Sequence, residues 1–274
     1  MPEGDSLFAL ATRLRPVLAG KTLTKSDFRV PRLATVDLLG WHVDGVRSIG
    51  KHLIIDLSDG DRRCAVRSHL GMDGSWRYFT LGQRWTKPGH TARVILGVDG
   101  AEAVGFLLRE LHVDRDPDAA LAHLGPDLLG PDWDADVAVA NIAEAVRRNP
   151  SRTVSDVLLD QRVIAGVGNI YRNEVCFLLG VHPATPMVDV DAARAVELAR
   201  ELLWQNRRSP IRNTTGLRGR GQNHWVYGRE GRSCHRCGTP ITRVDGHDRD
   251  RVTYFCPTCQ PAIGSRTGPA PDRR

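Results

Sequence analysis

Four of the six cysteines lie in two pairs near the C-terminus, Cys234-x2-Cys237 and Cys256-x2-Cys259, with eighteen residues between the pairs. Each Cys-x2-Cys turn can supply two thiolates, and two such turns at this spacing are typical of a zinc ribbon. Four thiolates leave no open coordination position, so the pattern predicts one structural Zn2+ that organises a small hairpin. The alternative is two disulfides in a secreted domain, which the lack of an export signal disfavours.

The N-terminal pair Pro2-Glu3 is a second chemical candidate. Methionine before a small residue is normally removed, which would expose the secondary amine of Pro2. An α-amino group has a lower pKa than a lysine, so more of it is a neutral nucleophile near pH 7. Its attack on a sugar aldehyde carbon gives a charged iminium, which acidifies the neighbouring carbon and drives elimination of a phosphate. Glu3 could then shuttle the proton. Taken alone, the pair is also compatible with an ordinary chain start.

A glycine-bearing turn in residues 160–174 joins two predicted helices and is a candidate anion site. Gly166 and Gly168 permit a tight turn, and Asn169 is suited to cap the helix that follows. Free backbone amides at a helix start can bind phosphate. A capped helix after a glycine turn is also common in proteins without such a site. The stretch fits neither the Walker nor the Rossmann pattern, so no nucleotide cofactor is expected.

The positive charge is concentrated in the C-terminal quarter of the chain. Residues 205–274 hold 14 Arg, no Lys and 5 acidic residues, a balance of +9, whereas residues 1–204 hold 24 basic and 27 acidic residues, a balance of −3. Such an excess favours a nucleic-acid partner, although a solvated basic face is the alternative. Arg243, Arg249 and Arg251 lie near the expected tip and return strand of the hairpin, and position alone does not choose between them.

Hydrophobic periodicity indicates the elements that must position these residues. Residues 7–18 have helical spacing, with Asp5 or Ser6 as the expected cap. Short apolar runs without intervening helices then favour an antiparallel sandwich or barrel. These runs cover residues 43–46, 52–57, 64–67, 75–79, 93–98 and 104–111.

The pattern changes again in residues 114–133, which are rich in Asp, Pro and Gly. Helical periods follow at residues 137–147, 153–159, 169–179 and 192–204, and residues 207–227 are expected to form a mobile loop. The longest apolar stretches are far shorter than the roughly 18 residues that indicate a membrane span. We therefore expect a cytoplasmic protein without membrane association.

The order of these features resembles the formamidopyrimidine-DNA glycosylase and endonuclease VIII family of base-excision repair enzymes. Pro2-Glu3-Gly4, a β-rich half, a helical half with Gly166-Val167-Gly168-Asn169 and a four-cysteine ribbon occur in that sequence from Pro2 to Gln260. The resemblance implies an α+β fold of two domains with DNA in the cleft between them. Residues 1–115 would form a catalytic β-sandwich with an N-terminal helix, and residues 130–227 a helical domain with a helix-two-turn-helix. Residues 228–260 would form the zinc finger and residues 261–274 a disordered tail.

The resemblance also implies roles for single residues. Pro2 looks like the family's nucleophile, Glu3 like its catalytic acid, and Lys51 like the lysine that grips DNA from a β-turn. The implied catalytic set is Pro2, Glu3, Lys51 and Arg251, where Arg251 is the zinc-finger arginine. The implied DNA-binding set is Lys51, Met72, Asn169 and Arg251. Here Met72 fills the gap left by a flipped-out base, and Asn169 binds phosphate.

Three departures from the family pattern favour the endonuclease VIII branch or put activity in question. Asp5 and Ser6 replace the last two places of the frequent Pro-Glu-x-Pro-Glu start, so the acid at position 6 is absent. No Arg-Phe-Gly wedge occurs near Arg109, and residues 207–227 look short for a lid over a purine. Both of these last points favour oxidised pyrimidines.

The sequence therefore predicts a monomeric, bifunctional DNA glycosylase and apurinic-apyrimidinic lyase. It would act on damaged DNA through a Schiff base at Pro2, followed by β,δ-elimination. The missing acid at position 6 motivates an alternative, a non-catalytic protein that binds damaged or abasic DNA. A generic zinc-ribbon RNA-binding protein would explain the arginines but not Pro2-Glu3.

Overall fold

The computed structural model describes residues 2–246 and 252–262. The chain divides into two compact units, Met1–Asp132 and Trp133–Arg274. Arg249, Arg251 and residues 263–274, which make up most of the expected disordered tail, lie outside the described residues. No helix in the described ranges is long and apolar enough to cross a bilayer.

The first unit combines one long helix with two antiparallel sheets. Helix α1 (Gly4–Leu18) is followed by strands β1 (Lys25–Phe28), β2 (His42–Ile49), β3 (His52–Asp59), β4 (Arg62–His69), β5 (Ser75–Thr80), β6 (Ala92–Val98), β7 (Ala101–Phe106) and β8 (Glu110–Asp114), and then by the short helix α2 (Pro117–Leu121). One sheet has the order β1-β6-β7-β5 and the other the order β2-β3-β4-β8. The expected α+β sandwich is confirmed, whereas β1 and α2 were not predicted.

The apolar positions of α1 and of both sheets share one core. This core contains Leu7, Leu10 and Leu14 of α1, Val46 of β2, Leu53 and Ile55 of β3, and Val94 and Leu96 of β6. Every second residue of β3 and β6 contributes to this core, as the period of two predicts, whereas Ile54 and Ile95 between them are buried in other clusters on the opposite faces. The start of α1 differs from the prediction. The helix begins at Gly4 with Glu3 as its N-cap, because the Glu3 carbonyl accepts the amides of Ser6 and Leu7.

The run that was predicted as one strand over residues 104–111 is two strands in different sheets. β7 ends at Phe106 and β8 begins at Glu110. Between them Leu107 has φ +49°, a left-handed conformation that leucine rarely adopts. This reversal of chain direction sends the following residues to the other sheet. Apolar periodicity could not reveal it, since the run stays hydrophobic across the break.

The second unit is helical and ends in a small hairpin. Its helices are α3 (Ala135–Arg148), α4 (Val154–Leu159), α5 (Asn169–Leu179) and α6 (Ala192–Asn206), and its hairpin strands are β9 (Thr242–Val244) and β10 (Thr253–Phe255). Thr153 caps α4 in a capping box with Asp156, and Asp134 and Asp191 cap α3 and α6. The turn between α4 and α5 gives the helix-two-turn-helix arrangement that was expected.

Residues 207–227 contain no helix or strand, but buried Glu174 of α5 anchors their C-terminal part. The Glu174 carboxylate accepts the backbone amides of Trp225 (2.7 Å), Val226 (3.0 Å) and Tyr227 (2.9 Å). It also accepts the hydroxyl of Thr214, and the Trp225 ring stacks on Phe177 at 5.3 Å. The expected mobile loop is thus attached to the helix at two places.

Replacing Glu174 by Gln is expected to lower the free energy of unfolding by about 2 kcal/mol. The amide keeps one acceptor oxygen but turns an NH2 group towards backbone donors, which leaves buried N–H groups unpaired. Chemical denaturation measures the change. Glu201→Gln on the exposed face of α6 is the matched control and should stay within about 0.5 kcal/mol of the parent. Equal stability of the two variants would contradict the assigned anchoring role.

Candidate functional site

The four cysteines come together in the second unit as the spacing predicts. Their sulfur atoms all lie within 4.8 Å of one another, with Cys234 and Cys259 3.9 Å apart and Cys237 and Cys256 3.4 Å apart. A tetrahedral zinc with bonds of about 2.3 Å sets its sulfurs about 3.8 Å apart, so this donor set fits one such ion. None of the four cysteines forms a disulfide in the structure, which favours the metal site over the disulfide alternative.

Short backbone turns and one glutamine orient the cluster. The amides of Arg236 and Cys259 each donate to a cysteine sulfur at 3.4 Å. Buried Gln260 accepts the Cys256 amide at 2.9 Å and donates to the carbonyl of Val181 at 2.9 Å, which ties the second turn to the end of α5. Burial alone would raise the pKa of Cys237, but hydrogen bonds from Thr239 and the neighbouring thiols outweigh it and lower this pKa to about 6. Burial raises the pKa of Cys256 and of Cys259, so the thiols of the cluster do not ionise alike.

Asn169 lies at the start of α5, but it is not the cap that the sequence suggested. Gly168 is the N-cap and Asn169 is the first residue of the helix, where its side chain is buried. Its Nδ2 donates to the carbonyl of Val252 at 2.9 Å, and its Oδ1 accepts from the guanidinium of Arg172. A guanidinium only donates, so this contact fixes which end of the amide is the donor.

Arg172 and Asn173 extend this contact along the return strand of the hairpin. Arg172 donates to the hydroxyl of Thr253 at 2.8 Å, and Asn173 accepts the backbone amide of Tyr254 at 2.7 Å. The structure therefore brings Asn169 next to residues 252–254, which directly follow Arg251 in the chain. The sequence analysis missed Arg172 and Asn173. Their signal was a row of polar residues, at positions i, i+3 and i+4 from Asn169, on a helix whose other residues are mostly apolar.

In the first unit Lys51 lies on a two-residue turn between β2 and β3, as the resemblance implies. Ile49 and His52 are the cross-strand pair that closes the turn. His52 in turn pairs with His69 of β4, and the residues after His69 carry Met72. The turn with Lys51 and the loop with Met72 therefore lie at the same end of the strands of one sheet.

His52 and His69, at this end of the sheet, are uncharged near neutral pH. Their rings meet edge to face at 5.2 Å. Burial, together with the neighbouring cationic side chains, lowers the pKa of His52 to about 3. Burial also lowers the pKa of His69, where nearby Lys51 and Arg109 act in the same sense and Glu110 opposes them. A neutral ring lets His69 Nδ1 accept the amide of Gly71 at 3.1 Å, which helps to hold the Met72 loop.

Met72 is 51% exposed at the tip of a tightly packed loop. A Cβ on Gly71, which has φ +69°, would lie 2.8 Å from the Cβ of Arg109, so the loop packs directly on the segment after β7. Leu107 on that segment is also exposed. The exposed part of the Met72 side chain buries no apolar surface in the protein core. It is available to contact a partner.

Pro2 and Glu3 lie at the start of α1, where Glu3 is buried and Pro2 is partly buried. The helix start fixes the backbone of Glu3, whose carbonyl accepts the amides of Ser6 and Leu7. The hydroxyl of Ser6 donates to the carboxylate of buried Asp5 at 3.3 Å. An acidic side chain therefore lies next to position 6, although Ser6 itself carries none.

Comparison with known proteins connects both units to one family. The profile of the formamidopyrimidine-DNA glycosylase N-terminal domain matches residues 1–108, and that of the formamidopyrimidine-DNA glycosylase H2TH domain matches residues 124–203. These two matches span the β-sandwich and the helix-two-turn-helix.

Full-length relatives agree with this assignment. "Probable endonuclease 8 2" of Streptomyces coelicolor is 50% identical, with 100% of each chain covered. "DNA-(apurinic or apyrimidinic site) lyase Nei2" of Mycolicibacterium smegmatis is 48% identical, with 96% of this chain and 100% of the relative covered. "Formamidopyrimidine-DNA glycosylase" of Listeria innocua is 30% identical over 95% of this chain and 100% of the relative. The higher identity to endonuclease 8 proteins agrees with the expected branch.

Solved structures share the fold. Lactococcus lactis Fpg in complex with DNA that contains an abasic site superposes with a TM-score of 0.75 at 23% identity, covering 95% of this chain and 100% of that one. The profile matches, the identity of full-length relatives and the shared fold lead to the same assignment. This chain belongs to the formamidopyrimidine-DNA glycosylase family and is more similar to its endonuclease 8 members.

Proposed function

We propose that this protein is a bifunctional DNA glycosylase and apurinic-apyrimidinic lyase of base-excision repair. The observation that carries the proposal is the 48% identity, over 96% of the chain, to a relative named DNA-(apurinic or apyrimidinic site) lyase Nei2. Pro2-Glu3, Lys51, Asn169 and the cysteine cluster support it, because the chemistry of each fits one part of this reaction.

The reaction begins at the amine of Pro2. The nitrogen attacks C1′ of the damaged nucleotide, the bond from C1′ to the base breaks, and the base leaves with its electron pair and a proton. The sugar ring then opens: the C1′–O4′ bond breaks, O4′ takes up a proton, and C1′ becomes doubly bonded to the Pro2 nitrogen as an iminium. This iminium withdraws electrons and acidifies C2′. Loss of the C2′ proton expels the 3′ phosphate, and a second elimination expels the 5′ phosphate. Hydrolysis then releases the sugar remnant and restores the amine.

Glu3 is proposed to move protons between these steps. A general acid contributes most when it is held within hydrogen-bond reach of the reacting group. Glu3 follows Pro2 directly and is fixed by the first turn of α1. Lys51 and Arg251 would bind the phosphates on either side of the lesion, and Met72 would fill the place of the extruded base. Asn169 would add a phosphate contact through the second N–H of its Nδ2 group, since Val252 accepts only one of the two.

The substrate proposal is an oxidised pyrimidine in DNA. Similarity to endonuclease 8 relatives and the lack of an Arg-Phe-Gly wedge near Arg109 support it. The proposed domains are a catalytic β-sandwich over residues 1–115, which also carries the DNA-binding Lys51 and Met72, a helical domain over residues 130–227 and a zinc finger over residues 228–260. The protein would act as a cytoplasmic monomer.

One zinc ion is proposed to bind Cys234, Cys237, Cys256 and Cys259. With four thiolates it would have no open position, so its contribution is to hold the two cysteine turns together. The hairpin strands have three residues each, too few to form a stable hairpin without such support.

A non-catalytic protein that binds damaged or abasic DNA is the second candidate. The serine at position 6 favours it, because a proton relay that needs an acid there would fail. It predicts binding without base release, which separates it from the first proposal.

Replacing Glu3 by Gln is expected to slow base excision by about 10²-fold to 10⁴-fold, the usual contribution of a general acid. Affinity for DNA with a stable abasic analogue should stay within about twofold. Single-turnover cleavage of a duplex with one oxidised pyrimidine measures the rate. Glu197→Gln on the surface of α6 is the control. A Glu3→Gln variant as active as this control would remove Glu3 from the mechanism.

Replacing Cys237 by Ser is expected to release zinc and weaken DNA binding, because the hairpin loses the ion that organises it. Metal content by mass spectrometry and affinity for abasic DNA are measured on the same preparation. Cys64→Ala is the control, since Cys64 is a buried thiol of β4 outside the cluster. Full affinity in a Cys237→Ser protein that has lost its metal would contradict the structural role.

Replacing Arg251 by Ala is expected to weaken DNA binding and to reduce the slope of log K against log salt by about 0.9, the effect of one phosphate contact. Arg243 is the matched control. It lies on β9 and is already paired with Asp245 at 2.6 Å and Glu230 at 3.5 Å. The proposed phosphate contact of Arg251 would be contradicted if the slope of log K against log salt is parental in both variants. It would also be contradicted if only Arg243→Ala changes this slope.

A further inference from the structure

Asp127 connects two parts of the first unit that lie 77 positions apart in the chain. One carboxylate oxygen accepts the backbone amide of Gly50 at 3.0 Å, and the other accepts the amide of Leu129 at 3.1 Å. Burial raises the pKa of this carboxyl group, and the two backbone hydrogen bonds oppose that effect. A partly buried acid that accepts two amides holds both segments in a fixed relation.

The amide of Gly50 needs such an acceptor because of the turn in which it lies. Ile49 and His52 close a two-residue hairpin turn, with φ +55° at Gly50 and a negative φ at Lys51. A positive φ at the first turn residue followed by a negative φ at the second is the pattern of a type II′ turn. The hairpin's own ladder does not use the amide of the first turn residue. Asp127 supplies the missing partner from another part of the chain.

The orientation of this turn sets the position of the Lys51 Cα atom, from which the side chain extends. A lysine has a long flexible stem, so a loosely held turn would add backbone freedom to the freedom of the side chain itself. Fixing the turn beforehand lowers the entropy lost when the ammonium group binds a phosphate. The anchor at Gly50 lies one residue from Lys51, close enough to restrict its Cα directly.

We propose that Asp127 is a positioning residue for Lys51, and that through Gly50 it holds the β2–β3 turn in the orientation in which Lys51 binds a DNA phosphate. The inference rests on the proposed DNA-binding function. Asp127 itself contacts no substrate, and its effect on DNA passes through the turn.

A purely structural role for Asp127 would have different consequences. It would lower stability and reduce all DNA contacts together, whether or not Lys51 is present. A positioning role removes the contribution of Lys51 alone, so the effects of Asp127 and Lys51 must not add. The salt slope also reports the number of phosphate contacts separately from stability.

The experiment measures the affinity of the full-length protein for duplex DNA with a stable abasic analogue across a salt series. The variants are Lys51→Ala, Asp127→Ala, the double variant, and Asp127→Asn, whose amide cannot accept both backbone donors. Asp116→Ala is the matched control. It removes one carboxylate from the same segment, where Asp116 is the exposed cap of α2 and accepts the Ala119 amide at 2.9 Å. Comparison of the parent protein with Asp116→Ala shows how much the affinity for DNA changes when one negative charge is lost.

The expected result is a loss of affinity of about tenfold for Lys51→Ala, with a salt slope smaller by about 0.9. Asp127→Ala and Asp127→Asn should each lose about fivefold and show a reduced slope, whereas Asp116→Ala should match the parent. The double variant should bind as Lys51→Ala does.

Full addition of the two effects, or a parental slope in both Asp127 variants, would overturn the positioning role while leaving the DNA-binding proposal intact. Failure of both Asp127 variants to fold would also overturn it, since Asp127 would then be a general stabilising residue. A parent protein that does not bind abasic DNA would instead remove the proposed function itself.

Discussion

Backbone amides that are not paired within a helix or a sheet need other acceptors, and in this protein buried or partly buried polar side chains supply them, most of them from distant parts of the chain. Glu174 accepts three successive amides of residues 225–227, and Asn173 accepts the amide of Tyr254. Asp127 does the same for Gly50, and His69 for Gly71. An unpaired amide in such a place would cost free energy, so each pairing favours one loop conformation over its alternatives. The segments next to the proposed DNA-binding residues are thereby ordered before any partner binds.

This arrangement suits recognition of a phosphate backbone. Contacts to phosphates set register and orientation, and they are strongest when the donors do not have to be ordered on binding. In the second unit, α5 holds both Asn169 and the strand that follows Arg251. In the first unit, the turn with Lys51 and the loop with Met72 lie at the same end of one sheet. Each unit on its own therefore carries a fixed set of candidate contacts.

The sequence predicted what depends on local spacing and missed what depends on distant partners. The four-cysteine cluster and helix α5 follow from residues close together in the chain, and both are confirmed. The partners of Gly50 and Tyr254 lie 77 and 81 positions away, so no local pattern could indicate them. The break at Leu107 was also missed, because a reversal of chain direction need not interrupt a hydrophobic run. Family resemblance supplied the roles of Pro2 and Lys51, which composition and periodicity could not.

The central claim is that the nitrogen of Pro2 attacks C1′ of the damaged nucleotide. Trapping of the covalent adduct tests it most directly. The protein is mixed with borohydride and a duplex that contains an oxidised pyrimidine, and the trapped complex is digested and sequenced by mass spectrometry. Reduction of the iminium fixes the deoxyribose remnant to the residue that attacked C1′. The account predicts a single adduct on the N-terminal amine of Pro2. An adduct on a lysine such as Lys51, or base release without any adduct, would contradict it.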